Sequence, residues 1–330
     1  MPRLFVILAL SYVYIGCAVP GPRTVALVDG RVVRVATASP EERAAVVRAA
    51  AGPDGTGLAR LEVLPPDRDA AGLVAAGRAD VAIVYGRGVR DLAPRGDRVR
   101  VERAPGWDRV YALWIPPRGR WLADPVFRHW LAATVDRAAM VDLVLDGVGE
   151  PARGLLAPGG EPETAVSPSK RPFGAGSLPR LSLLFDEGDP LAVAIAARIK
   201  ATLGPEGVQL ALDPQEGSRL RQALDGGEHA LALIAHHPPV ADPLLGLLDT
   251  LCRVSPPDGP VVAEIARATR SVGRDARMRG ASSVEGDLVR DHRLVPLVRA
   301  HAWLATASSL RGIHAGPWGE IGVERAEWRR

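Results

Sequence analysis

The residues of this 330-residue chain best placed to do chemistry are the histidine pair His236-His237 and the Asp242-Pro243 step that follows it. The pair comes directly after an apolar run, Ala230 to Ala235, and imidazole can donate, accept, titrate or bind metal. Tyr85 and Arg87 stand in the same place after the run Asp80 to Val84, and Asp186 and Glu187 stand so after Leu181 to Phe185. A phenol, a guanidinium, carboxylates and imidazoles at strand ends make a set suited to recognising a solute. The alternatives for the same residues are ordinary exposed loops, histidines bonded to backbone, and an Asp-Pro turn or helix cap. Catalysis has little to build on: there is no G-x-S-x-G elbow, no H-E-x-x-H pair and no G-x-x-x-x-G-K-[ST] loop, and Cys252 has no partner at a metal or nucleophile spacing. We therefore expect no enzyme, no catalytic residue, no resident metal and no cofactor.

Cys17 offers a different chemistry. Arg3 supplies a positive start, Leu4 to Ile15 an apolar stretch too short to span a bilayer, and Gly16 a small residue before the cysteine. This order marks residues 1–16 as a signal peptide and the mature chain as exported. Tyr14-Ile15-Gly16-Cys17 further resembles a bacterial lipobox, which implies a diacylglyceryl anchor on the Cys17 sulfur and a periplasmic or cell-surface lipoprotein. A plain secretory signal with an incidental cysteine is the alternative.

Composition narrows the partners. At 47% hydrophobic and 24% charged the chain can bury a core, which excludes a disordered or collagen-like polymer. A formal charge of +3, with no basic tract interleaved with aromatics, gives no reason to expect nucleic acid.

Periodicity then supplies the elements that must hold the candidate residues. A strand at Val32–Ala36, a helix at Pro40–Ala51, a strand at Leu61–Leu64, a helix at Ala70–Ala76 and a strand at Asp80–Val84 form a βαβαβ unit. A second unit repeats the order: strand Leu181–Phe185, helix Pro190–Leu203, strand Val208–Leu212, helix Ser218–Leu224, strand Ala230–Ala235. Gly77 and Gly227 occupy equivalent places before the last strand of each. Crossovers of this length require a parallel sheet, whose ligands sit beyond the carboxyl ends of the strands. The expected fold class is therefore α/β with two lobes, each with a βαβαβ unit, and a ligand cleft between them.

Between the units, Asp124-Pro125 starts one helix and Asp136 a second that stops at Gly147, while Glu161 to Pro179 reads as a linker. Val261 to Ala307 reads as largely helical until Pro296, with Arg267, Arg270, Arg274 and Arg277 on a solvated face. The expected division is lobe I over 17–170, lobe II over 171–284 and a return segment to lobe I over 285–330.

The stretch from Asp124 to Arg137, with its Asp-Pro start, an Arg at 128 and the Asp136-Arg137 pair, resembles the signature of the bacterial extracytoplasmic solute-binding proteins of the oligopeptide, dipeptide and nickel ABC importers. Asp146-Gly147, Gly154 to Pro158, Arg279, Glu285 and Pro296-Leu297 continue the likeness. The resemblance implies a periplasmic-binding-protein-like fold, a small solute, peptide-like or a metal chelate, as ligand, and an ABC permease as partner. His236, His237, Asp242, Tyr85, Arg87 and Asp186 are the ligand-binding residues expected on this basis. The chain departs from the family in being short, and aligning Asp242-Pro243 with the family's acidic-Pro pair puts Pro239 where peptide binders carry the Asp that pairs with the peptide amine. That departure favours an anionic, metal-bearing or neutral polar ligand. It also motivates an alternative, a shortened envelope lipoprotein with a structural or regulatory role.

Overall fold

A computed structural model of the chain describes residues 33–36, 61–63, 69–92, 97–156, 171–174, 179–226, 230–236, 243–254, 259–268, 270–271, 273–315, 321–322 and 327–328. The helix expected at 40–51, the lipobox with Cys17, and His237, Pro239 and Asp242 lie outside these residues.

The first unit forms as its pattern requires. β1 (Val33–Ala36), β2 (Leu61–Val63) and β3 (Val81–Tyr85) pair in parallel in the order β2-β1-β3. Helix α1 (Ala70–Ala75) between β2 and β3 starts where Asp69 accepts the N–H of Gly72 at 2.9 Å and gives way at Gly77, whose φ of +69° a side chain would oppose. After α2 (Arg87–Leu92) and β4 (Val99–Arg103), the chain crosses to a second sheet through a 3-10 turn at Pro105–Trp107.

That second sheet opens with β5 (Arg109–Trp114), which is buried along its whole length. Helices α3 (Gly119–Leu122), α4 (Pro125–Thr134) and α5 (Arg137–Leu143) follow, the last two capped by Asp124 and Asp136 as their sequences demand. Then come β6 (Gly149–Pro151) and the second parallel unit: β7 (Arg180–Asp186), α6 (Pro190–Leu203), β8 (Gln209–Gln215), α7 (Gly217–Gly226) and β9 (Leu231–His236). Its strand order, β8-β7-β9, is that of the first unit. Three helices, α8 (Pro243–Val254), α9 (Pro260–Ala268) and α10 (Arg274–Arg290), precede β10 (Leu294–Ala300), which runs into β11 (Ala302–Ala307).

Alternate residues of the six-stranded sheet β6-β10-β5-β9-β7-β8 point to opposite faces, so both are covered. Tyr111, Leu113, Leu183 and Leu233 face the α4–α6 side, where Ile195, Ile199 and Leu203 of α6 pack. Val110, Ala112, Trp114, Ala232 and Ile234 face α8, α9 and α10. The five-stranded sheet is β2-β1-β3-β11-β4. In each sheet an antiparallel strand, β11 or β5, lies beside the last strand of the parallel unit, and each comes from a segment that crosses over from the other sheet.

Three expectations need correction. Sheet membership changes at 104–108 and at 301, not at 170 and 285, because β5 and β6 pair with β9 and β10 rather than with the first unit. The helical stretch ends at Arg290; β10 hid from periodicity because all seven of its residues are buried, and its Pro296 is tolerated at a register shift between Pro296 and Val298. The four arginines do not share one helix, since Gly273 at φ +93° separates α9 from α10; Arg267 and Arg270 are nevertheless exposed. Of the expected linker, Phe173 is packed edge-on against Trp130 and Trp121.

Candidate functional site

The carboxyl ends of both parallel units point to the same region, and Arg109 marks it. The Arg109 guanidinium lies 4.6 Å from the centroid of the Tyr85 ring at the end of β3 and donates to Asp189 at 3.0 Å, just beyond the end of β7. Asp189 uses both oxygens. Oδ1 caps α6 by accepting the Leu191 N–H at 3.0 Å, and Oδ2 accepts from Arg109 and, at 2.8 Å, from the Tyr111 hydroxyl. Arg109 and Asp189 are 2% and 4% exposed, so the pair is desolvated, and such a charge is tolerable only with this many partners. Burial pushes the Tyr111 phenol well up, opposed by the Arg109 charge, so the phenol remains a donor.

Beside this triad a cavity of about 70 Å³ opens at the ends of β7 and β9, under α7 and α8. Its polar walls are Asp186, Asp189, Arg221, Thr250 and Arg253. Two carboxylates, two guanidiniums and a hydroxyl on a floor of Leu233 and Ile234 could fix a small solute carrying charges of both signs. A far larger hollow, about 980 Å³, lies at the opposite, amino edge of β7 and β8 between Trp121, Arg180 and Lys200. Size alone does not make it the site: it is a broad surface depression, away from the strand ends where polar groups converge.

The expected site residues divide. Tyr85 lies at the facing edge, its hydroxyl donating to the Trp107 carbonyl at 3.0 Å while its ring carries Arg109. Arg87 opens α2 two residues further on. Asp186 lines the cavity and accepts the Gly188 N–H at 2.8 Å. His236 is the correction. It sits at the carboxyl edge of β9 as expected, but it is 1% exposed and faces α8, where its Nδ1 contacts Thr250 Oγ1 at 2.7 Å and Gly246 leaves room for the ring. Thr250 has one hydroxyl hydrogen, directed at the Gly246 carbonyl, so Nδ1 is the donor. Burial, then the charges of Arg299 and Arg253, lower its pKa to about 3. It is a neutral core histidine.

Sequence reading missed Arg109, Asp189, Arg221, Thr250 and Arg253. The Asp189-Pro190 cap signal was available; the contact with β5 was not, because it joins residues 80 apart in the chain. Cys252 is half-buried and its thiol is pushed up to about 11, first by burial and then by Asp249, which suits no nucleophile.

No family model matches the chain. A 62-residue stretch is 44% identical to Protein XP55 of Streptomyces lividans, covering 19% of this chain and 11% of that protein. Solved structures match across most of the chain. A dipeptide binding protein from Pseudoalteromonas sp. SM9913, in complex with Met-Leu, superposes with a TM-score of 0.65 at 17% identity, covering 82% of this chain and 59% of its own. NikA from Brucella suis, in complex with Fe(III)-EDTA, gives 0.62 at 17% identity over 82% and 61%. DppA from Helicobacter pylori, an ABC transporter-associated periplasmic binding protein in complex with the peptide STSA, gives 0.60 at 12% identity over 80% and 56%. The fold is therefore the two-lobed periplasmic-binding-protein fold of these solute-binding proteins, as the sequence resemblance implies. The chain spans about three fifths of their length.

Proposed function

We propose that this protein is the solute-binding component of an ABC importer of the oligopeptide, dipeptide and nickel kind, a divergent member. The observation that carries the reading is the pair of three-stranded parallel units of identical order whose carboxyl ends face each other at Tyr85, Arg109 and Asp189. A solute touching both lobes binds the closed arrangement better and draws the equilibrium toward it. Nothing is made or broken; recognition is the whole of the chemistry. The solute is small, peptide-like or a metal chelate, held by Asp186, Arg221 and Arg253 with Tyr85 and Arg87 across the cleft. The signal peptide exports the chain, Cys17 anchors it to a membrane through lipid, and an ABC permease receives the solute. No helix among the described residues is long and apolar enough to cross a membrane.

Thermal-shift screening of the mature protein against di- and tripeptides, amino acids and metal chelates, with small-angle scattering on every hit, tests the reading. A raised melting temperature with contraction of the particle supports it. The second reading, an envelope lipoprotein that binds no solute, is favoured by the 70 Å³ cavity, below the few hundred Å³ typical of ligand pockets. No stabilising solute in any class and no contraction would select it.

A further inference from the structure

Away from the cleft, His129 Nδ1 of α4 and His292 Nε2 of the turn between α10 and β10 lie 2.8 Å apart, with their rings 4.7 Å centre to centre and both half-buried. Direct contact of two ring nitrogens requires that one carry the hydrogen and the other a lone pair. Two further features hold the rings there. His292 has φ +52° because it closes α10: its N–H donates to the Val289 carbonyl at 3.0 Å and the Arg293 N–H to the Leu288 carbonyl at 2.9 Å, so the helix end fixes where its side chain starts. Arg128, next to His129, ties α4 to the same turn: its Nε donates to the Asp291 carbonyl at 3.0 Å, and its Nη1 donates to the Leu122 and Ala123 carbonyls. The two imidazoles are thus set on a braced platform from elements 163 residues apart.

We propose that His129 and His292 form a two-imidazole site for a late divalent transition metal, with copper(II) bound most tightly. Two neighbouring nitrogens at about 2.0 Å from a square-planar ion are about 2.8 Å apart, whereas a tetrahedral ion spreads them to about 3.3 Å. The observed 2.8 Å is the length of the N–H···N bond that an ion would replace, so it shows two ring nitrogens already within the reach of one ion, and the general order of affinities puts copper(II) first. The rings turn so that both lone pairs meet the ion, and the hydrogen between them moves to the far nitrogen of its own ring. Both imidazoles stay neutral. Water fills the remaining positions, because no group of three or more His, Cys, Asp or Glu converges among the described residues.

The test is titration of the full chain with copper(II), nickel(II) and zinc(II), followed by calorimetry, with electron paramagnetic resonance on the copper form. One copper(II) per chain, hyperfine structure from two nitrogens, and weaker nickel(II) and zinc(II) are expected. His129→Gln and His292→Asn should each weaken copper(II) at least tenfold, and Asn tolerates the left-handed backbone at 292. No stoichiometric copper(II) in the wild type, a spectrum without two nitrogens, or affinity unchanged in the double variant would overturn the proposal. The wild-type spectrum decides even where a variant fails to fold, and solute binding in the cleft is a separate readout.

Discussion

Asp108 and Ala302 are 194 residues apart in the chain, yet Asp108 Oδ1 accepts the Ala302 N–H at 2.9 Å. The bond joins the two segments that cross between the sheets, one at 104–108 and the other at 301. Arg103 closes the clasp: its two terminal nitrogens each reach an Asp108 oxygen at 2.6 Å, and one donates to the Ala302 carbonyl at 2.9 Å. Both crossings are thereby held in one register, the place where any rotation of one lobe against the other is concentrated.

Asp108→Ala should therefore destabilise by about 2–4 kcal/mol, since it leaves a buried N–H and a half-buried guanidinium short of their acceptor. Asp108→Asn keeps an acceptor for Ala302 and should cost less. Urea melts check the order. Equal losses in the two variants would show that the Arg103 charge, and not the Ala302 bond, carries the clasp.

Asp189→Ala is expected to be worse, at about 3–5 kcal/mol, because it removes the α6 cap and strips the carboxylate from the 2%-exposed Arg109. Replacing both members, Arg109→Met with Asp189→Ser, should recover part of this, since Ser restores a cap and no charge stays buried. Recovery of nothing in the double variant would mean that neither the cap nor the unpaired charge accounts for the loss, which then lies in packing.

The α/β units were legible because their information is local. The apolar face of α6 recurs at Ala192, Ile195, Ala196, Ile199 and Leu203, and the Asp189-Pro190 start fixes its first residue. The crossing strands were not legible. β5 and β10 are buried on both faces, so they show no alternation, and their places depend on pairing Val110 with His236 and Leu294 with Trp114 across long stretches of chain. The site fared likewise. Strand ends pointed to Tyr85 and Asp186, but the direction in which His236 faces follows from which side of β9 α8 covers, and position after a strand says nothing about that.

Glu285 of α10 gives the third prediction. Its Oε1 accepts the N–H groups of Leu155 and Leu156, and Gly154 is required beside it, since a Cβ there would stand 2.8 Å from Oε1. Gly154→Ala and Glu285→Ala should each cost about 1–3 kcal/mol, one by collision and the other by leaving buried donors unmet. If the two share this mechanism, the double variant should lose less than the sum of the singles. Simple additivity in denaturant melts would refute the shared clasp.

The last prediction concerns acid. His236 is lowered from 6.5 to about 3 by burial, so between these values the unfolded chain binds a proton that the folded chain refuses. Its contribution is therefore intact above about pH 6.5 and declines as pH falls toward 3, with a slope of at most ~1.4 kcal/mol per pH unit. Glu285 acts in the opposite sense: burial raises its pKa, so the folded chain holds that proton longer as pH rises past the ordinary carboxylate value. The fall in stability as pH drops below 6.5 should come from His236 and, in the same sense, from His301, whose pKa burial also lowers. In His236→Gln, which retains a donor toward Thr250, urea midpoints between pH 6.5 and 5 should fall less steeply than those of the wild type, the remaining slope coming from His301. Equal slopes in the two proteins would show that the ring is charged or open to water in the folded state, and would return His236 to the solute-facing residues.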